Sequence, residues 1–137
     1  MASFLLDTGP VVAALRRTDM DHEPCLALLE GIKEDLVSTE AVLTEATHLV
    51  SGLPHGIAAC INFFIRMKVH LLSMTPQMLL RCRELTERYA DVPMDFADAT
   101  LMAVAEETGI ADIFTLDRRG FSIYRFGRNR AFRIVPG

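Results

Sequence analysis

Short apolar runs alternate with longer amphipathic stretches along this chain. The first run, "SFLL", stops at the turn residues "DTGP", and "VVAALRR" then carries a helical pattern with Pro10 near its start. "HEPCLALLEGIKED" repeats the helical pattern, and "LVS" is a short strand candidate. Thr39 is placed to cap a helix over "EAVLTEATHLVSG" that ends near Gly52. "HGIAACINFFIRM" reads as a further, strongly apolar helix, "VHLLSM" as a strand, and "QMLLRCRELTERYA" as a helix capped by Thr75 with Pro76 at its first position. An amphipathic helix from Asp95 to Glu107, the strand "DIFTL", Asp117, and a tail with strand-like "SIYRF" and "AFRIV" complete the pattern. Strands separated by helices predict an α/β fold, a mainly parallel sheet covered on both faces.

Composition narrows the class. A length of 137 residues, half of them apolar, suits one domain over residues 1–137 with a normal core. Cys25, Cys60 and Cys82 are odd in number and far apart, so they read as reduced core residues and not as a zinc site or disulfide framework. "MASFLLDTGP" lacks a basic leader region, and no stretch approaches the ~18 apolar residues of a membrane span. The expectation is a soluble cytoplasmic protein with no membrane partner.

The net charge of −4 conceals an asymmetry. All 18 acids and eight of the 14 lysines and arginines lie between Met1 and Asp117, a balance of −10. The last twenty residues hold Arg118, Arg119, Arg125, Arg128, Arg130 and Arg133 and no acid, a balance of +6. Two readings follow: a cation-binding acidic site beside a polyanion-binding surface, or arginines that simply pair with the acidic body.

Several acids sit where solvated surface is not the only reading. Asp7 ends the first strand and Asp117 the last clear one. In open α/β sheets the carboxyl ends of the strands border the binding crevice, although an Asp after a strand is also ordinary turn chemistry. On a wheel of about 100° per residue, Val42, Ala46, Leu49 and Val50 form an inward stripe with Glu45 on its flank, whereas Glu40 faces solvent. In the helix after Asp95, the inward stripe is Ala97, Leu101, Val104, Ala105 and Thr108, with Asp98 at its edge. Asp95 is placed as the N-cap of that helix. Four acids from four segments, Asp7, Glu45, Asp98 and Asp117, would then converge. Carboxylates that close repel unless a cation lies among them, and an all-oxygen set suits Mg²⁺ or Mn²⁺. Positive charge for a phosphate would come from Arg118 and Arg119, directly after Asp117. His48 falls away from the buried stripe, and His22, His55 and His70 have no triad partner at telling spacing.

"FLLDTGPVVAAL", "VLTEATHLV", "MDFADATLMAVAEETG" and "IFTLDRRGFSIYR" occur in this order over nearly the whole chain. Together they resemble the PIN-domain nucleases, particularly the VapC-type toxins of toxin–antitoxin pairs. The resemblance implies a three-layer α/β/α fold and a metal-binding quartet at Asp7, Glu45, Asp98 and Asp117. It further implies endonucleolytic cleavage of RNA by water attack on phosphorus, a homodimer, and silencing by an antitoxin whose tail reaches the site. Thr115 matches a small hydroxyl position near the last acid, and could hydrogen-bond a metal water or be an ordinary strand threonine.

Two other functions compete. An aspartate-nucleophile phosphatase would use Asp7, but the second Asp of its DxD motif is replaced by Gly9. A PIN-like domain that only binds RNA or protein would be signalled by a missing quartet acid, and all four are present.

Overall fold

The computed structural model describes residues 3–136. Strand β1 (Ser3–Leu6) leads through helices α1 (Thr8–Leu15) and α2 (His22–Gly31) to β2 (Asp35–Ser38). Helices α3 (Glu40–Leu49) and α4 (Gly56–Arg66) connect to β3 (His70–Leu71), and α5 (Pro76–Arg88) and α6 (Phe96–Thr108) to β4 (Asp112–Phe114). Helix α7 (Arg118–Ile123), a small hairpin of β5 (Arg125–Phe126) and β6 (Arg130–Ala131), and β7 (Arg133–Val135) follow. The main sheet has the order β3-β2-β1-β4-β7, every pair parallel, with helices on both faces in the three-layer α/β/α arrangement.

That order decides where a site falls. The chain steps outward from β1 to β2 and β3, then returns to lay β4 on the other side of β1. The crevice at such a switch point opens off the carboxyl ends of β1 and β4. Leu6 is in register with Phe114, so Asp7 and Thr115, one residue further on, stand side by side. The Asp7 N–H donates to the Phe114 carbonyl at 3.0 Å and the Ser38 hydroxyl to the Leu6 carbonyl at 2.7 Å, which pins the strand end. Leu5, Leu6, Ile113 and Phe114 are wholly buried beneath it. Each such side chain contributes roughly 1.5–3 kcal/mol through burial.

The caps expected at Thr39, Thr75 and Asp95 are present, each side chain accepting from a backbone N–H three residues on. Cys25, Cys60 and Cys82 are free and buried. No helix of the described residues is long and apolar enough to cross a membrane.

Several boundaries differ from the sequence reading. Asp7 is the N-cap of α1, so "TGP" is its first turn and not a separate loop. Helix α2 stops at Gly31, where a glycine is costly to hold helical, and Asp35 enters β2. Only His70 and Leu71 of "VHLLSM" form a strand. Ser122 and Ile123 of "SIYRF" close α7, because Asp117 caps a helix there. The middle of helix α6 is not amphipathic: every residue from Ala99 to Ala105 is buried, as a stretch this apolar around its whole circumference is expected to be, while Thr108 is exposed. In α3 the stripe is Val42, Ala46 and Val50; Leu49 is 47% exposed.

Candidate active site

The carboxyl ends of β1 and β4, the flank of α3 and the start of α6 enclose a crevice of about 430 Å³. Asp7, Glu45, Asp98 and Asp117 all line it, so the fold brings together the four acids singled out from the sequence. Asp19, from the turn after α1, and Asp95 line it as well.

Each carboxylate is held by local chemistry. Asp7 is 6% exposed, and its Oδ2 accepts from the Thr115 hydroxyl at 2.6 Å. The same hydroxyl accepts from the Asp117 N–H at 2.9 Å. Thr115 therefore ties the ends of β1 and β4 together. It is fully buried and engaged on both sides, which places it behind the acids and not on a surface that RNA could touch. Asp117 accepts from the Gly120 N–H at 3.0 Å as the cap of α7. A Cβ on Gly120 would lie 2.5 Å from Asp117 Oδ2 and 3.0 Å from the Tyr124 hydroxyl, so glycine is what leaves room for the carboxylate in its capping position. Asp95 and Asp98 form a reciprocal capping box: the Asp98 N–H donates to Asp95 at 2.8 Å and the Asp95 N–H to Asp98 at 3.3 Å. The hydroxyl of buried Tyr124 donates to Asp98 Oδ2 at 3.4 Å.

The acids perturb one another. Burial, with smaller contributions from Glu45 and Asp117, pushes Asp7 up to about 6 against the pull of its hydrogen bonds from Thr115 and the Thr8 backbone. Burial, then the charges of Asp7 and Asp95, push Asp98 up to about 8, with its bond from the Asp95 N–H opposing. Glu45 is raised by burial and by neighbouring Asp95; the Thr8 hydroxyl works the other way without meeting the geometry of a hydrogen bond. Burial and the nearby acids keep the Tyr124 phenol protonated. Such a set is chemically matched to a hard divalent cation. Among the described residues, no three side chains already close on a common metal-sized point, so the acids would have to turn inward to coordinate one.

Arg118 and Arg119 do not line the crevice. The Arg118 guanidinium donates to the Pro136 carbonyl, and the Arg119 side chain is exposed beyond Asp117. Sequence reasoning missed Asp19, Thr8, Gly120 and Tyr124. Thr8 and Gly120 sit beside motif acids and were within reach of it. Asp19 and Tyr124 arrive through a turn and a helix end that no periodicity marks.

The family model described as PIN domain matches residues 4–127 of this chain. The chain belongs to the PIN-domain family. PIN nucleases generally use divalent metal ions. Among solved structures, the chain is similar to VapC20 of Mycobacterium tuberculosis, a Sarcin-Ricin loop cleaving toxin. That match has 21% identity, covers 83% of this chain and 91% of that one, and has a TM-score of 0.74. It is also similar to a chain of VapBC2 from Rickettsia felis, bound to a DNA fragment from their promoter, at 14% identity, covering 96% and 98%, with a TM-score of 0.64. No curated protein sequence matches it significantly.

Proposed function

We propose that this chain is a metal-dependent endoribonuclease, the toxin of a VapC-type toxin–antitoxin pair acting in the cytoplasm. The observation that carries the reading is the convergence of Asp7, Glu45, Asp98 and Asp117 on one crevice in a PIN-family chain. The neighbours support it, since one is named as a Sarcin-Ricin loop cleaving toxin and the other comes from VapBC2. An antitoxin partner and a homodimer belong to the same reading.

In this reading Asp7, Glu45, Asp98 and Asp117 would hold Mg²⁺ or Mn²⁺, which would supply Lewis-acid activation of a water and charge for a phosphate. The residues of the chain do the positioning. Thr115 fixes the Asp7 carboxylate and the backbone of Asp117 in one arrangement. Tyr124 and the capping box orient Asp98. Arg118 and Arg119 set positive charge beside Asp117 for the phosphates flanking the cleaved bond.

The test is incubation of purified protein with total cellular RNA in Mg²⁺, Mn²⁺ or EDTA, alongside Asp7→Asn and Asp98→Asn. Discrete metal-dependent products, absent from both variants, are the expected result. Metal binding without cleavage of any RNA in the pool would move the reading to a non-catalytic PIN domain.

A further inference from the structure

Thr8 is a residue the quartet does not use. It is 4% exposed, and its Oγ1 is the single buried side-chain polar atom without a hydrogen-bond partner among the described residues. The other buried hydroxyls are all engaged. Ser38 donates to the Leu6 carbonyl, Thr39 and Thr100 share a hydrogen bond, Thr100 also reaches the Ala97 carbonyl, and Thr115 donates to Asp7.

Position explains the orphan. Thr47 and Thr108 satisfy their hydroxyls on the carbonyl four residues back along their own helices. Thr8 is the first residue of α1 and has no preceding helical turn to bond to. Thr8 lines the acid crevice together with Asp7 and Glu45, its hydroxyl acts to lower the pKa of the Glu45 carboxyl, and its Oγ1 has no hydrogen-bond partner among the described residues. A hydroxyl both donates and accepts, so a single water at that spot would complete it.

We propose that the Thr8 hydroxyl belongs to the metal centre: it accepts a hydrogen bond from a water in the hydration shell of a bound divalent cation and donates its own hydrogen to Glu45. The inference rests on the preceding reading only in that a cation binds among the acids. It makes Thr8 a positioning residue, acting through a water and through Glu45, and such supporting contacts alter metal affinity by roughly 10–100-fold. An isosteric valine would remove the hydroxyl and leave the packing, whereas serine would keep the hydroxyl.

The experiment is Mn²⁺ binding to the metal-free protein, read from the electron paramagnetic resonance of free Mn²⁺, with thermal melts of the same samples. Wild type, Thr8→Val, Thr8→Ser and Asp7→Asn are compared. The expected result is affinity about tenfold weaker in Thr8→Val, retained within about twofold in Thr8→Ser, and lost in Asp7→Asn. Metal-free Thr8→Val should melt no lower than wild type, since an orphaned buried hydroxyl is gone. Wild-type affinity in Thr8→Val would overturn the inference. So would weakened binding in Thr8→Val with a lowered melting temperature and no recovery in Thr8→Ser, which marks a packing role. Wild-type protein that binds no Mn²⁺ would overturn both the inference and the cation reading. The expected pattern in a protein that cleaves no RNA would support the role of Thr8 and reject the nuclease.

Discussion

The acidic crevice and the arginine-rich C-terminal segment carry opposite charge, and the fold builds them in opposite ways. The crevice gathers Asp7, Glu45, Asp98 and Asp117 from segments far apart in sequence, and none of them pairs with a Lys or Arg among the described residues. The six arginines are neighbours in sequence, and those that find partners find separate ones. Arg118 donates to the Pro136 carbonyl, Arg125 to three carbonyls at the end of α7, and Arg130 to the Gly109 carbonyl while lying over the Phe126 ring. Among the described residues, only Arg133 meets an acid, Asp112. A carbonyl is neutral, so among these residues five of the six guanidinium groups have no acid partner. Of the two readings of the charge asymmetry, mutual pairing fails. The acids remain available to a cation and the arginines to a polyanion.

The largest effect that would break this contrast lies within the acids themselves. Asp98→Asn removes a carboxylate from the crevice and should reduce RNA cleavage to background with the circular dichroism spectrum unchanged. Asp95→Asn keeps an equally good cap, because Asn and Asp are similar at that position, and should lose less. Asp95 also borders Glu45 in the crevice, so some loss is expected. Equal, complete inactivation by both substitutions would remove the division between cap and ligand. Next in size is Gly120→Ala, whose added Cβ would sit 2.5 Å from Asp117 Oδ2. Turning that carboxylate away should lower cleavage at least tenfold, about 1.4 kcal/mol of transition-state stabilisation. Activity within twofold of wild type, measured at saturating metal, would show that Asp117 tolerates the displacement.

The contrast also explains what the sequence could disclose. Asp7 and Glu45 were legible because each sits at a position with a physical signature, the residue after a strand and the flank of an apolar stripe; Asp117 stands three residues past β4 as the cap of α7, and Asp98 was reached from a wheel that α6 does not obey. The alternation of strands and helices led to the correct parallel architecture. Helix α6 misled because a wheel assumes one buried side, and "ATLMAVA", apolar except for the hydrogen-bonded Thr100, is surrounded by protein. Leu49 was assigned inward by the same geometry, yet it lies at the rim of the crevice. The partners of the arginines were illegible because backbone carbonyls carry no sequence signal. Strand-like "SIYRF" holds only at Arg125 and Phe126, which form β5; its first residues went to α7 because the cap that starts that helix is made by an acid already assigned to the site.

A smaller effect separates the acids by pH. Asp7 at about 6 and Asp98 at about 8 are both raised above their ordinary value of 3.8. In the metal-free chain the folded state thus keeps protons that the unfolded state has already released. This contribution to stability is complete below about pH 4 and is lost as pH rises through 6 and then 8. Metal-free protein should melt lower at pH 8.5 than at pH 5, and Asp98→Asn should flatten the upper part of that slope. Added Mg²⁺ should restore more of the melting temperature at pH 8.5 than at pH 5, since at low pH it must displace protons. A melting temperature that rises across this window would mean that the acids are compensated within the protein.

The smallest effects lie in the arginines, where the distinction is between charge that is free and charge that is paired. Arg119 and Arg128 are exposed, and among the described residues their side chains donate to no protein group. If they contact phosphates, replacing either by alanine should weaken binding of single-stranded RNA to the Asp98→Asn protein and reduce its salt dependence by about 0.7 in log–log slope. Arg133→Ala breaks an exposed ion pair, which should change stability by under about 1 kcal/mol. Because Asp112 already offsets that charge, it should leave the salt slope nearly unchanged. Titrating RNA across a series of KCl concentrations resolves the three variants. A slope lowered equally by Arg133→Ala would mean that the Asp112 pair opens to admit RNA, and that the whole segment, paired and unpaired alike, forms the polyanion surface.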